Sequence, residues 1–206
     1  MTSMFEHLKL LKERNRADWL SLVGIIPFLA SLYFVHTNEP ELALLAGIVA
    51  FVFDSLDGVV ARKYGLESDF GRQIDSFMDS LIYLVFPSYF ILIFLNPLSL
   101  LTGIAAVLVI GFGILRLIRF NIVGFVYKNG ARSYPGLGTA YIFPAVIVLY
   151  IGNYYLGSVF SWLTPFVLIT MSFAMVSEIP IKKPRLSFWY PVAIIFILTL
   201  LFIRFR

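Results

Sequence analysis

Residues 54–79 read Asp54-Ser55-Leu56-Asp57-Gly58-Val59-Val60-Ala61-Arg62, then eight residues, then Gly71-Arg72-Gln73-Ile74-Asp75-Ser76-Phe77-Met78-Asp79. The run before this stretch, Leu42 to Phe53, is apolar, and so is most of the run after it, Leu81 to Leu95. Four carboxylates therefore stand at the edge of, or inside, two helices of membrane length. Ionisable groups in hydrocarbon are costly and mark a functional site by default.

Helical periodicity places Asp54, Asp57, Gly58 and Ala61 at i, i+3, i+4 and i+7, on one face. Gly71, Asp75 and Asp79 fall at i, i+4 and i+8, again on one face. The link Lys63 to Phe70 holds Gly65 and Ser68 and is short enough for an antiparallel hairpin that brings the two acidic faces together. Carboxylates packed so closely call for a compensating cation. With only oxygen ligands, and neither Cys nor His nearby, the donor set suits Mg²⁺, Mn²⁺ or Ca²⁺ rather than zinc. A merely solvated interhelical turn would account for one or two acids, not for four in register with the small residues.

The composition agrees with a membrane setting. Of 206 residues, 60% are hydrophobic and 14% charged, and the mean hydropathy is +0.89. That is the profile of a single all-α integral membrane domain over 1–206. The absence of Cys excludes disulfides and thiol catalysis. A pI near 9.3 points to anionic lipid headgroups rather than nucleic acid, because the cations cluster in the loops between apolar runs.

Met1 to Arg16 carries Phe5, Leu8 and Leu11 at helical spacing among Lys9, Lys12, Arg14 and Arg16, the pattern of an interfacial amphipathic helix, with a basic tail as the alternative. It leads straight into an apolar span, unlike a cleaved signal peptide. Spans are expected near Trp19–Val35, Leu42–Val60, Ile74–Leu95, Leu98–Leu115, Thr139–Leu156, Phe160–Ile179 and Trp189–Phe205. That gives a six-helix core plus a shorter C-terminal span, with Pro27, Pro87, Pro144 and Pro165 marking kinks. The abundant Phe and Tyr read as lipid-facing and interfacial. With the N-terminus inside, 14 of the 16 Lys and Arg residues fall on the cytoplasmic side and only Arg204 and Arg206 outside. The acidic motif is then on the cytoplasmic face of the membrane.

Two later stretches carry further chemistry. Leu115 to Asn121, L-R-L-I-R-F-N, sets Arg116 and Arg119 on one face at i, i+3. They read either as arginines snorkelling to the surface or as a fork for a phosphate or carboxylate. Tyr134 to Pro144, Y-P-G-L-G-T-A-Y-I-F-P, is a Pro-Gly break entering a helix whose N-terminus could face an anion.

The 54–79 stretch resembles the signature of the CDP-alcohol phosphotransferases, D-x2-D-G-x2-A-R-x8-G-x3-D-x3-D, with all eight fixed positions matched. Within that superfamily, Leu115–Asn121 and Tyr134–Pro144 resemble the R-L-A-R-F-N and G-L-P-x-P blocks of bacterial and archaeal phosphatidylserine synthases. Met175 to Ile179, M-V-S-E-I, resembles a further block of that group, and Pro87 keeps its place eight residues past Asp79. Gly138 stands where the group has proline, and Ile82, Tyr83 and Leu84 replace its S-F-G.

The resemblance implies transfer of a phosphatidyl group from a CDP-linked lipid, of the CDP-diacylglycerol or CDP-archaeol type, to an alcohol, with release of CMP. A pyrophosphate needs charge neutralisation and in-line geometry, which two Mg²⁺ or Mn²⁺ ions supply. Asp54, Asp57 and Asp75 are then the metal ligands, and Asp79 a shared ligand and the general base. Gly58, Ala61 and Gly71 line the nucleotide groove and Arg62 pairs with a CDP phosphate, while Arg116 and Arg119 are candidates for the lipid phosphate or the acceptor's carboxylate. L-serine is the expected acceptor, because no Lys or Arg occurs between Asp79 and Arg116 to receive a phosphorylated one. Glycerol 3-phosphate, inositol phosphate and inositol are the alternatives. The resemblance also implies a homodimer. From another class, a divalent-cation transporter would use acidic helices too, but such sites sit at repeat interfaces and no repeat is visible.

Overall fold

Hydrocarbon offers a backbone no hydrogen-bond partners, so apolar runs of this length are helical. The computed structural model describes residues 22–65, 69–95, 99–124, 126–128, 131–182 and 186–205. The expected interfacial helix, the start of the first span, and residues 66–68 of the hairpin link lie outside the described residues. Within them the helices are α1 (Ile25–His36), α2 (Pro40–Tyr64), α3 (Asp69–Ser80), α4 (Phe86–Phe94), α5 (Leu100–Val123), α6 (Ile142–Leu156), α7 (Ser158–Val176) and α8 (Leu186–Phe205).

A π-helical turn, Leu81–Val85, joins α3 to α4 into a single span. Pro87 accounts for it. Its ring cannot sit against the carbonyl four residues back, that of Tyr83, and it has no N–H to give the ladder. Among the described residues, five spans are long and apolar enough to cross a membrane, and Ile25–His36 and Pro191–Phe205 are shorter apolar helices. The membrane-spanning body is all-α, that of a multi-pass membrane protein.

Several elements depart from the bounds expected from the sequence, and those nearest the site are as follows. Helix α5 runs eight residues beyond Leu115, so Arg116 and Arg119 sit within a continuous helix. Helix α7 ends at Val176 rather than Ile179, because Ser177 turns extended (φ −65°, ψ 162°). Short strands β1 (Val126–Lys128), β2 (Ala131–Pro135) and β3 (Pro180–Lys182) form an antiparallel sheet in the order β1-β2-β3, beside the ends of α5 and α7. These strands are too short, and lie in segments too polar, to show an alternating pattern.

Many of the aromatic rings are exposed on the bundle surface, as expected, but a column of them also fills its interior. Tyr83 packs edge-on to Phe51 at 5.5 Å. Phe51 meets Phe143, which meets Phe86, which meets Phe90, which stands edge-on to Tyr150 at 5.5 Å. Each ring in this column is buried. Leu84 is seated against Gly113 of α5, where a Cβ would lie 2.3 Å from its methyl group, so only glycine admits that close approach. At the end of the bundle away from the acidic motif, the Tyr150 hydroxyl donates to Glu41, and Arg204 of α8 bonds Glu39 and lies 4.0 Å from Glu41. Helix α8 therefore runs antiparallel to α2 along its length, about 30 Å for 20 residues.

Candidate active site

Asp54 and Asp57 come from α2, and Asp75 and Asp79 from α3, as the one-face spacing requires. Carboxylate oxygens of Asp54, Asp57 and Asp75 lie within 4.8 Å of one another. Opposite ligands of a single Mg²⁺ or Ca²⁺ are about 4–5 Å apart, so this trio has the span of a divalent-cation site. Asp57 is 4% exposed, Asp54 is half-buried and Asp75 is exposed, so the cluster opens to the bundle surface on the Asp75 side. A second observation supports a cation here. Oδ1 of Asp54 is buried with no hydrogen-bond partner, a costly arrangement unless something else neutralises it. The donor set is oxygen only, fitting the hard cations Mg²⁺ and Mn²⁺.

Asp79 falls outside this trio but within electrostatic reach of Asp54, Asp75 and Asp57, and also of Arg116. Arg116 is 6% exposed, its guanidinium stacked at 5.2 Å over the ring of Phe120. It also approaches Gly138, where the 3₁₀ turn Thr139–Tyr141 opens α6. The structure thus brings a buried cation to the acidic face and beside the entry to α6. Ser76 and Asn121 exchange hydrogen bonds at 2.9 and 3.3 Å and tie α3 to α5 next to this site. Of the residues expected to line a nucleotide groove, Gly58 and Gly71 are half-buried on the two acid-bearing helices. Ala61 and Arg62 occupy the last turns of α2, and their side chains lie outside the described residues.

Arg119 has a different environment from Arg116. Its Nη1 donates to the carbonyl of Val176 at 3.0 Å, and its Nη2 to those of Pro135 (2.6 Å), Met175 (3.0 Å) and Ser177 (3.0 Å). Helix ends leave their last carbonyls without partners, and here a guanidinium caps three at the end of α7, where the helix dipole also favours a cation. Gly136 completes the junction. Its φ is +80°, its N–H donates to Ile179, and a Cβ there would lie 2.4 Å from the Met175 carbonyl. The stretches 115–121, 134–144 and 175–179 therefore meet at one point. Arg119 is engaged as a clasp on these carbonyls.

Sequence reasoning missed Tyr83. Its hydroxyl donates to Oδ2 of Asp54, and the ring is 3% exposed. The available signal was spacing, because Tyr83 continues the series Asp75, Asp79 by another four residues.

Comparison with known proteins agrees with this geometry. Residues 14–176 match the family model described as CDP-alcohol phosphatidyltransferase. A CDP-diacylglycerol–serine O-phosphatidyltransferase of Methanocaldococcus jannaschii is 34% identical over 145 residues, covering 66% of this chain and 68% of the relative. An archaetidylserine synthase of Methanothermobacter thermautotrophicus is 30% identical over 173 residues, 82% of this chain and 70% of the relative. A CDP-diacylglycerol–glycerol-3-phosphate 3-phosphatidyltransferase of Rickettsia prowazekii is 29% identical over 73 residues, 34% of this chain and 40% of the relative. With the motif of eight residues, the paired acidic helices and a match across most of its length, the chain belongs to the CDP-alcohol phosphatidyltransferase family.

Proposed function

We propose that this enzyme transfers the phosphatidyl group of a CDP-linked lipid to the hydroxyl of L-serine, releasing CMP on the cytoplasmic side of the membrane. The observation that carries this reading is the meeting of the Asp54–Asp57–Asp75 trio with Asp79 and the buried Arg116. Asp54, Asp57 and Asp75 hold the divalent metal, with Asp79 contributing to a second ion. Bound Mg²⁺ or Mn²⁺ supplies charge neutralisation on the pyrophosphate. Gly58, Ala61 and Gly71 leave room for the nucleotide, and Arg62 pairs with a CDP phosphate.

Asp79 accepts the proton of the serine hydroxyl as its oxygen attacks the phosphorus that carries the lipid. The new P–O bond forms as the bond to CMP breaks, and CMP departs with the electron pair. Arg116, beside Asp79, neutralises the serine carboxylate or the lipid phosphate. A phosphorylated acceptor would bring about two further negative charges, and Arg116 is the one cation that 80–118 contains. The serine-named relatives above also align over longer stretches than the glycerol-phosphate one. Nothing in the family match favours cation transport. The homodimer that the resemblance implies remains part of this reading.

The test is CMP release from a CDP-lipid in detergent, with serine, glycerol 3-phosphate, inositol phosphate and inositol supplied separately. Turnover with serine is expected. Turnover with another alcohol and none with serine would refute the acceptor and leave the reaction class standing.

A further inference from the structure

The carboxylate of Asp54 is asymmetric. Oδ2 accepts the Tyr83 hydroxyl, whereas Oδ1 is buried with no hydrogen-bond partner, in the group whose carboxylate oxygens converge within 4.8 Å. We propose that Tyr83 is a positioning residue, whose hydroxyl holds Asp54 with one oxygen directed to a divalent cation shared with Asp57 and Asp75. The inference rests on the metal-holding role given to Asp54 above, and assigns the residue that orients it.

Three features support a positioning role over simple packing. The π-turn Leu81–Val85 sets where Tyr83 stands relative to Asp75 and Asp79 on the helix before it, and such turns recur at functional sites. The ring is held on its other side by Phe51, edge-on at 5.5 Å, and Phe51 is on α2 one turn before Asp54. The hydroxyl therefore has little freedom to find another partner. Partners that bond the ligands of a metal fix ligand orientation, and removing one typically weakens metal affinity by about 10–100-fold. A tyrosine also leaves Asp54 its charge, where a basic partner would compete with the cation.

An internal control exists in the same bundle. Tyr150 is likewise buried and donates to a carboxylate, that of Glu41, at the other end of the aromatic column. Tyr83→Phe and Tyr150→Phe thus delete the same kind of bond, one at the acidic cluster and one far from it.

The experiment is calorimetric titration of the full chain in detergent with Mn²⁺ alone, alongside thermal unfolding in EDTA. Wild type should bind Mn²⁺, Tyr83→Phe should bind about tenfold more weakly, and Tyr150→Phe should stay within about twofold of wild type. Both variants should unfold within a few degrees of wild type in EDTA, since each keeps its ring. Equal affinity in Tyr83→Phe and wild type would overturn the inference while leaving the metal site intact. Equal weakening in both variants, or loss of fold in Tyr83→Phe, would overturn it in favour of general packing. No Mn²⁺ binding by wild type would overturn the metal reading itself, and the role of Tyr83 with it.

Discussion

Replacing Arg119 with Lys separates its clasp from a role in anion binding, because lysine keeps the charge and loses the fork. Nη2 has two hydrogens for three carbonyls, so one hydrogen is shared, and with the Nη1 bond about three effective bonds remain. A bond from a charged donor contributes about 1.5 kcal/mol at the lower end, giving ~4.5 kcal/mol. Arg119 is half-buried and the lysine ammonium keeps three donors of its own, so water and the new side chain take over part of the loss and ~3 kcal/mol is the expected cost. For a chain of this size that is a fall of about 6–12 °C in Tm. Thermal unfolding in detergent, followed by tryptophan fluorescence, measures it. Gly136→Ala attacks the same junction without altering any charge, through φ +80° and the 2.4 Å clash with the Met175 carbonyl, and should also lower Tm by several degrees. An Arg119→Lys protein that melts within about 2 °C of wild type would refute the clasp. If it also bound CDP-lipid less tightly, the anion role would return.

Asp79→Asn should abolish turnover and leave a folded protein that still binds CDP-lipid; near-normal CMP release would remove it as the base. Asp54→Asn and Asp57→Asn should weaken Mn²⁺ and nucleotide binding together, because each deletes a metal ligand, and titration of both ligands checks this. EDTA should abolish activity and Mg²⁺ or Mn²⁺ restore it, whereas full turnover in metal-free buffer would defeat the mechanism. The chain has no cysteine, so a single Lys63→Cys reports topology: an impermeant thiol reagent should label it only after cells are opened, and labelling from outside would invert the orientation.

The acidic site was legible because helical period and hydrophobicity act together on it. Asp54 and Asp57, then Asp75 and Asp79, stand at spacings that share a helix face, and flanking apolar runs oblige both segments to be helices. Tyr83 escaped notice because an aromatic in an apolar run has the composition of any buried or lipid-facing ring. Its meaning depends on the π-turn set by Pro87, which shifts the register of the helix, and on where α2 places Asp54. The clasp of Arg119 has no trace in the sequence for a deeper reason. Its partners are main-chain carbonyls as many as 58 residues away, and no side-chain pattern records where a carbonyl will be. The same holds for the short sheet, whose strands exist because the ends of α5 and α7 are brought together.

The link from Arg204 to Glu39 bridges 165 residues of sequence, and this has a consequence for biosynthesis. Helix α2 leaves the ribosome well before its partner α8 has been made. Until α8 arrives, Ile48 and Phe51 of α2 and Phe143 and Ile147 of α6 lack Val192 and Phe196, which face them in the finished bundle. Lipid or an insertion chaperone must cover that flank in the interval. Contacts so distant in sequence form late, and an incompletely packed bundle is open to wrong association. A nascent chain arrested before α8 should therefore be more sensitive to protease and detergent than the finished one, even though its whole acidic cluster has already been synthesised.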